Sequence, residues 1–318
     1  MNITVSNSAT VPIRCKGKKS EALIIRQQGG IGDILNTRML FQDLKAKLRK
    51  KITYAIPPEF FPLVADHPHI DRVVNYLETE REGFGFCKDI TNKCGEYEQA
   101  KAPDVDMHRS DIWARHIGIE LKHHDMLINF SREELRFASQ VLENVAKPIV
   151  AIQPISFHPS KDWPLDRWQE LVDAIVNDYG FGVVCFHSQS LPLRNVLMLG
   201  GNINLREWMT ITSLCDYVIT VATAMFCLAN GLHKPTVAIF GCEDLDIYGK
   251  YFSEMIPIQR HRKNGDGWPD CPCWSAWKEC KRNNGKENVF PPPCLDDINV
   301  SEVIEGFKRC LKIKVPKD

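Results

Sequence analysis

The sequence lacks both a long apolar segment and an excess of charge of one sign. No run approaches the roughly 18 unbroken apolar residues that a membrane-spanning helix needs. Lysine plus arginine and aspartate plus glutamate number 40 each, so the chain as a whole has no basic field for nucleic acid. Its first residues contain no apolar core of the kind found in signal peptides. We therefore expect a cytoplasmic protein, with peripheral attachment to the inner face of a membrane as an open alternative.

Apolar residues are plentiful enough to build large cores. They make up 44% of the 318 residues, and at roughly 150 residues per domain this length predicts about two domains. Twelve cysteines are many for a cytoplasmic chain, where disulfides are uncommon. Most are scattered, but four lie close together near the C-terminus.

Strand-like and helix-like segments alternate in two series. The first begins with an apolar strand at 22–26, passes through a glycine-rich loop into a helix at 32–49, and has further strands at 51–56 and 70–77. The second restarts with a strand at 149–155 and repeats the same order. Such alternation predicts parallel sheets built from βαβ units. The predicted fold class is α/β, with two parallel sheets facing across a cleft.

The glycine-rich loop "QQGGIGD" matches neither common phosphate-binding fingerprint. The third glycine of G-x-G-x-x-G is replaced by Leu35, and no lysine followed by serine or threonine completes a P-loop. Gly30 and Gly32 still permit close approach of the backbone to a ligand. Asp33 stands at a helix N-terminus, where the helix dipole favours an ionised carboxylate. Asp33 is therefore either a simple helix cap or a general base facing the cleft.

Two loops of the second series can hold an anion. In "QPISFHPSKDWPLDRW", Lys161 precedes a helix whose N-terminal amides can share a diphosphate with it, without a metal. In "VATAMFCLANGL", the Thr223 hydroxyl and exposed amides can do the same. The alternatives are that Lys161 is an ordinary solvated lysine and that the small residues serve helix–strand packing.

In this order and spacing the loops resemble glycosyltransferase family 9, the lipopolysaccharide heptosyltransferase-like enzymes. The matching segments are "IIRQQGGIGDILNTRMLFQDLK", "VVNY" after "HPHIDR", "PISFHPSKDWPLDRWQELV" and "CDYVITVATAMFCLANGLHKPTVAIFGCED". The resemblance implies a GT-B fold, which consists of two Rossmann-like domains facing across a cleft. It also implies inverting transfer of a sugar from a nucleoside-diphosphate donor, such as ADP-heptose, with no catalytic metal.

The resemblance assigns roles to individual residues. Asp33 takes the place of the catalytic aspartate, Lys161 that of the phosphate-binding lysine, and Thr223 that of the donor-loop threonine. Asp33 would deprotonate the acceptor hydroxyl, while Lys161 and helix N-termini would stabilise the departing diphosphate. The acceptor stays open among glycan, lipid-linked and protein hydroxyls. The full set of candidate donor-binding residues is Gly30, Gly32, Ser156, Lys161, Thr223 and Ala224.

The donor loop departs from the family pattern, which usually reads Asp-Thr-Gly with a histidine three residues later. Here Ala222 and Ala224 flank Thr223, and Cys227 stands at the histidine position. The donor sugar therefore stays open, and so does a catalytically inactive relative that only binds sugar nucleotides. A transferase acting on modified nucleic acid bases is a further alternative, because basic and aromatic residues surround the clustered cysteines.

We predict an acceptor domain at 1–147 and a nucleotide-sugar domain at 148–299, the latter including a cysteine-rich finger at 260–294. The terminal helix, predicted over 300–315, can pack back on the first domain, as in many GT-B proteins. Asp244 and Asp246 mimic the metal-binding acid pair of the other glycosyltransferase fold, but they follow a strand of a GT-B-like unit, which argues against a metal there.

The clustered cysteines have the spacing C-x-C-x6-C-x13-C. Four thiolates in a loop rich in glycine and proline are suited to a structural zinc or iron ion. Disulfides and free buried thiols are the alternatives. Some relatives carry a metal-bound cysteine-rich finger that supports oligomer assembly, so the resemblance also implies a homo-oligomer. The predicted ligands are Cys271, Cys273, Cys280 and Cys294.

Overall fold

The computed structural model describes residues 17–201, 203–265, 267–274, 280–283 and 290–313. Parts of the predicted finger and the last residues of the predicted terminal helix lie outside these ranges. The described chain contains two parallel sheets with helices on their faces. The predicted α/β class and the two-sheet GT-B architecture are thus confirmed.

The first sheet contains four parallel strands in the order β3-β2-β1-β4. Five helices follow or separate its strands. The strands are β1 (Glu21–Ile25), β2 (Lys51–Ile56), β3 (Arg72–Asn75) and β4 (Phe86–Asp89). The helices are α1 (Ile31–Thr37), α2 (Phe41–Leu48), α3 (Lys93–Lys101), α4 (Arg109–Ile117) and α5 (Arg132–Val141).

The second sheet contains six parallel strands in the order β10-β9-β8-β5-β6-β7. Its strands are β5 (Ile149–Gln153), β6 (Gly182–Phe186), β7 (Leu197–Leu199), β8 (Tyr217–Val221), β9 (Thr236–Phe240) and β10 (Met255–Gln259). The helices of this half are α6 (Leu165–Tyr179), α7 (Leu205–Ser213), α8 (Ala224–Gly231), α9 (Leu245–Tyr248), α10 (Pro293–Asp296) and α11 (Val300–Cys310).

Burial explains why these segments form sheets and covering helices. Every residue of β6 and β9 is buried, as expected for parallel strands that are covered on both faces. The covering helices bury one stripe each; α6 buries Trp168, Leu171, Val172 and Ile175. At the start of α5, Ser131 and Glu134 form the capping box that their spacing predicts.

The strand order reverses once in each sheet. In the first sheet β2 and β4 lie on opposite sides of β1, and in the second β6 and β8 lie on opposite sides of β5. Ligands of open α/β sheets bind beyond the carboxyl ends of the strands at such reversals. The loop with Asp33 follows β1, and the loops with Lys161 and Thr223 follow β5 and β8. All three loops are therefore at the expected edges.

Direct packing of α1 on α8 joins the two halves. The two helices approach each other closely at Gly32, where an added Cβ would lie 3.0 Å from Cys227 Sγ and 3.4 Å from Ala224 Cα. Arg206 of α7 makes a second connection by donating a hydrogen bond to Glu134 of α5 at 2.6 Å. A continuous cluster of buried apolar side chains extends from the first sheet to the second.

The terminal helix packs differently from the expectation that it returns to the first domain. α11 lies against α6, β9 and β10 of the second half. Its apolar stripe of Val303, Phe307 and Cys310 is fully buried in the core of that sheet. The stripe has a covering surface close by in the chain, which is why the helix stays there. The predicted boundary at 147/148 falls between α5 and β5 and stays a prediction.

None of the described helices combines the length and the apolar character needed to cross a lipid bilayer.

Replacing Gly32 by alanine should destabilise the protein. The added Cβ would press on Cys227, and overpacking of this kind typically costs about 1–3 kcal/mol in the free energy of unfolding. The matched control is Gly30→Ala, because nothing lies within 4 Å of a Cβ at Gly30. Urea unfolding of both variants measures the difference, and equal stabilities would show that the helices do not meet at Gly32.

Candidate functional site

A cavity of about 1180 Å³ lies between the carboxyl edges of the two sheets. The first half contributes Asp33 and Arg109 to its wall, and the second half contributes Lys161 and Thr223. All seven residues that the sequence proposed for catalysis and donor binding line this one cavity. They are Gly30, Gly32, Asp33, Ser156, Lys161, Thr223 and Ala224.

The Asp33 carboxylate is bound by two arginines. Its Oδ1 accepts a hydrogen bond from Arg109 Nη1 at 2.5 Å, and its Oδ2 accepts one from Arg26 Nη2 at 3.1 Å. Oδ2 also lies 3.4 Å from the backbone amide nitrogen of Gly30, which closes the first turn of α1. The side chain keeps 19% of its surface exposed. Asp33 is therefore a helix-capping residue and also part of the cavity wall.

These cations determine the protonation state of Asp33. Burial by itself would raise the pKa of this carboxyl, but the neighbouring charges of Arg109 and Arg26 outweigh it and hold the pKa below its usual value. The carboxylate is thus ionised at neutral pH, which is the state that a general base needs.

Arg109 connects Asp33 with the second half of the molecule. It stands at the first position of α4 and makes two hydrogen bonds to Glu98, of 2.6 and 2.9 Å. Its guanidinium also lies 4.9 Å from the centre of the Tyr248 ring, which belongs to α9 of the second half. This contact closes the cavity between the halves beside the catalytic candidate.

Arg26 is buried directly behind the glycine-rich loop. Only 4% of the residue is exposed, and its guanidinium stacks on Trp113 at 4.7 Å. Gly29 has a φ of +144°, and a Cβ there would lie 2.3 Å from Arg26 Nη2. A glycine at this position therefore leaves room for the arginine. Sequence reasoning missed both arginines; the position of Arg26 directly before the loop was the one available signal.

Lys161 is bound by a carboxylate that the sequence did not predict. Its ammonium group pairs with Glu243 of the loop after β9. Burial alone would lower the pKa of Lys161, but the charge of Glu243 raises it, so the lysine stays protonated. Lys161 ends a 3₁₀ turn, and α6 begins only at Leu165, four residues later. The helix therefore begins within one residue of the start that the sequence predicts, at 164.

Thr223 is the N-cap of α8. Its hydroxyl accepts a hydrogen bond from the Met225 amide at 3.2 Å and lies 2.9 Å from the Thr220 hydroxyl. The Thr223 carbonyl accepts a further hydrogen bond from the Phe226 amide at 3.2 Å, so Thr223 binds two of the first amides of this helix. Cys227, one turn later, is buried, and burial raises its pKa to about 12. A neutral thiol thus stands where the family pattern has an imidazole.

Apolar side chains of the second half also line the cavity. They are Phe186 and Leu199, the last residues of β6 and β7, together with Ile203 and with Trp208 of α7. Phe157 is fully exposed at 105% of its reference surface and borders the cavity from the loop that carries Lys161. The cavity wall therefore combines charged groups with flat apolar side chains.

The four clustered cysteines form two pairs of thiols. One hydrogen bond joins the thiols of Cys271 and Cys294, and another joins those of Cys273 and Cys280. The hydrogen bond with Cys271, together with burial, raises the pKa of Cys294; burial and the neighbouring thiols raise that of Cys273. Within the described ranges no disulfide occurs and no three thiols converge closely enough to share one ion. The described residues therefore contain two hydrogen-bonded pairs of protonated thiols and no four-cysteine cluster of the predicted kind.

Asp244, Asp246 and His261 form the one group in the described part of the chain whose ligand atoms converge. His261 Nε2 lies 3.4 Å from Asp244 Oδ2. The ammonium of Lys263 already binds Asp246 at 2.8 Å, so a cation would have to displace it. We assign no metal to this group.

In the described part of this region, four of the five basic residues near the finger are paired with acids. Arg260 binds Asp297 and Glu302, Arg262 binds Asp104, Lys263 binds Asp246 and Lys281 binds Asp270. The predicted basic residues Lys278 and Lys286 lie outside the described residues. Because nucleic-acid binding depends on cations that contact phosphates, these four pairings do not favour the nucleic-acid alternative.

The sequence was compared with protein families and curated proteins. The model of glycosyltransferase family 9 (heptosyltransferase) matches residues 101–265, which is just over half of the 318 residues. The search of curated proteins finds no match.

Several solved structures share the fold at low sequence identity. One is the ADP-heptose lipopolysaccharide heptosyltransferase II of E. coli, with 15% identity and a TM-score of 0.63. The alignment covers 91% of this chain and 98% of the E. coli chain. The iron-containing dodecameric glycosyltransferase TibC of enterotoxigenic E. coli H10407 has 15% identity and a TM-score of 0.70. The alignment covers 94% of this chain and 78% of the TibC chain. E. coli heptosyltransferase WaaC with ADP is 13% identical with a TM-score of 0.57, covering 92% and 98%.

Replacing Arg109 by glutamine should raise the pKa of Asp33. The variant loses the larger of the two cationic contributions, while burial of the carboxyl persists. Because the folded pKa is lowered in the native protein, Asp33 stabilises the fold above its unfolded pKa, and this stabilisation is lost as pH falls through the folded pKa. Arg109→Gln should therefore also lose stability at neutral pH.

A carbon-detected NMR titration of the Asp33 carboxyl measures this shift. The control is Arg115→Gln, which removes an exposed arginine from the same helix. An Asp33 titration that is the same in Arg109→Gln and in the native protein would contradict the electrostatic role of Arg109.

Proposed function

Because the chain belongs to glycosyltransferase family 9 (heptosyltransferase), we propose that it transfers a sugar from an ADP-heptose-like nucleoside-diphosphate donor to an acceptor hydroxyl with inversion. The observation that carries the proposal is the shared cavity, in which Asp33 from one half and Lys161 from the other line the same space. A base and a cation on opposite sides are what a direct displacement at a sugar carbon requires.

In the proposed reaction the acceptor oxygen attacks the anomeric carbon of the donor. The bond from that carbon to the diphosphate oxygen breaks, and the electron pair leaves with the diphosphate. Asp33 takes the proton of the acceptor hydroxyl. Each carboxylate oxygen has about two lone-pair sites, so Oδ1 can accept this proton while Arg109 stays bound.

The departing diphosphate gains negative charge, which the second half can stabilise. Lys161 supplies a cation, and the N-terminus of α8, which begins after Thr223, supplies the positive end of a helix dipole. Gly30 and Gly32 let the opposing backbone approach the ligand. Ser156 and Ala224 complete the proposed donor-binding wall.

The apolar side chains of the cavity wall support a nucleotide donor. Flat side chains such as Phe186 and Trp208 suit the faces of a nucleobase. Two structural relatives are described with ADP or ADP-heptose, which supports an adenine nucleotide. The contacts to the donor sugar should differ from those of the family pattern, because Ala222 and Cys227 provide neither its acid nor its imidazole.

The presence of both Asp33 and Lys161 in one cavity supports an active transferase over an inactive relative. The acceptor is proposed only as a molecule that presents a hydroxyl group, whether on a glycan, a lipid-linked saccharide or a protein.

We also propose that Cys271, Cys273, Cys280 and Cys294 hold a structural iron or zinc ion. Three of these residues are at most 9% exposed, and soft thiolates suit either metal. Binding of the metal ion would release the thiol protons of both pairs. The two pairs would have to move together to share the ion. The ion would hold the finger in shape and take no part in the transfer. The iron-containing dodecamer TibC supports both this metal and a homo-oligomer.

Asp33→Asn should lower turnover about 10²–10⁴-fold, because the amide cannot accept the proton of the acceptor. Binding of the nucleotide should change little, since Lys161 and the apolar wall are untouched. ADP release from ADP-heptose and from a panel of other nucleotide sugars measures turnover, and calorimetry measures ADP binding. Asp166→Asn is the control, because Asp166 lies in the first turn of α6 but does not line the cavity.

Turnover of Asp33→Asn at the native rate would remove Asp33 from its proposed role. A native protein that binds ADP but turns over no donor of the panel would instead favour the inactive relative.

The full chain purified under reducing conditions should contain about one iron or zinc ion per chain. The double variant Cys271→Ser and Cys273→Ser should lose it, because one ligand is removed from each thiol pair. Cys87→Ser, which removes an exposed cysteine of β4, is the control. Elemental analysis by mass spectrometry decides the matter, and equal metal content in all three proteins would refute the four-cysteine site.

A further inference from the structure

The ion pair of Lys161 and Glu243 bridges three neighbouring strand ends. Lys161 follows β5 and Glu243 follows β9, while β8 lies between these strands in the sheet. The loop after β8 carries only the small side chains of Ala222 and Ala224 beside Thr223. The lysine therefore reaches over the β8 end to meet the carboxylate.

The two partners differ in their exposure to the cavity. Lys161 keeps 25% of its side chain exposed, whereas Glu243 keeps 4%. Lys161 lines the cavity and Glu243 does not. Seen from the cavity, the carboxylate thus lies behind the ammonium group.

Glu243 is itself fixed by its surroundings. Its second carboxylate oxygen, Oε2, accepts a hydrogen bond from the Cys242 thiol, with sulfur and oxygen 3.4 Å apart. Its backbone carbonyl accepts one from Gln259 Nε2 at 2.5 Å, so β10 holds the loop in place. A carboxylate bound on both oxygens and held by its backbone is a rigid support for a flexible lysine.

The pair leaves the lysine able to bind an anion. An ammonium group has three N–H donors, and the bond to Glu243 uses one of them. Two donors remain for phosphate oxygens on the cavity side. Because an unpaired buried carboxylate is strongly unfavourable, Lys161 should stay beside Glu243 when a diphosphate binds.

We infer that Glu243 is a positioning residue of the donor site, which holds the Lys161 ammonium at the cavity wall with two N–H groups directed at the donor diphosphate. The inference rests on the proposed function, since it requires that Lys161 contacts the diphosphate. The inference gives a function to Glu243 in the loop after β9. The loop after β8 carries no acidic residue, because Ala222 stands where the family pattern has an aspartate.

A double-mutant cycle read out by ADP binding tests this inference. Calorimetry on the full chain compares the native protein with Lys161→Ala, Glu243→Gln and the double variant. We expect Lys161→Ala and Glu243→Gln each to weaken ADP binding about tenfold or more, because both lose the positioned cation. The double variant should bind no more weakly than Lys161→Ala alone, since Glu243 acts through the lysine.

Adenosine separates positioning from general damage to the site. It lacks phosphates, so Glu243→Gln should bind adenosine with native affinity. Asp43→Asn is the matched control; it removes a buried carboxylate of α2 that bonds the amides of Lys122 and His123, and it should bind ADP normally. If Glu243→Gln does not fold, Glu243→Asp replaces it. Aspartate keeps the charge but holds it one methylene farther from Lys161, so the loss of ADP affinity should be smaller than for Lys161→Ala.

Three results would overturn the inference: native or tighter ADP binding by the Glu243 variant, losses that add in the double variant, or an equal loss of adenosine binding. A native ADP affinity of Lys161→Ala would instead overturn the proposed donor site itself, so the two failures are distinguishable.

Discussion

The pair of guanidinium groups around the Asp33 carboxylate is the interaction on which the candidate site depends. Arg26 follows β1 and Arg109 begins α4, so the carboxylate is held from two separate elements. A carboxyl this poorly exposed would otherwise tend to hold its proton. Arg109 also stacks on Tyr248, so the residue that keeps Asp33 ionised also contacts the second half of the molecule.

Each cation of the site is matched by a carboxylate from a different element. Arg109 is shared between Asp33 and Glu98, and Lys161 is paired with Glu243. Such pairs are already oriented before any ligand arrives, so little reorganisation is needed when charge develops during a reaction. The apolar contact of α1 with α8 sets the separation of the two groups of charges, and Gly32 permits that contact.

The fold could be predicted further than the site. Apolar periodicity located the central strands of both sheets but missed β4, β7 and β10, and the capping box at Ser131 located the start of α5. The helix predicted over 32–49 is divided by a 3₁₀ turn, Arg38–Leu40, where the buried Arg38 donates to the backbone carbonyl groups of Leu63 and Met126. Periodicity reports which face is apolar and contains no information on such distant carbonyl partners. Periodicity likewise shows that α11 has an apolar stripe, but not which sheet that stripe covers.

The sequence by itself determined the α/β class, the family resemblance and the loops that meet at the carboxyl edges, because strand patterns and loop motifs are local properties of the chain. Only the tertiary structure decided which charges surround Asp33, which carboxylate holds Lys161 and how the cysteines pair. Arg109 and Glu243 lie 76 and 82 positions from their partners. Their contacts arise from the order of strands in each sheet and from the packing of the halves, which a linear pattern does not encode.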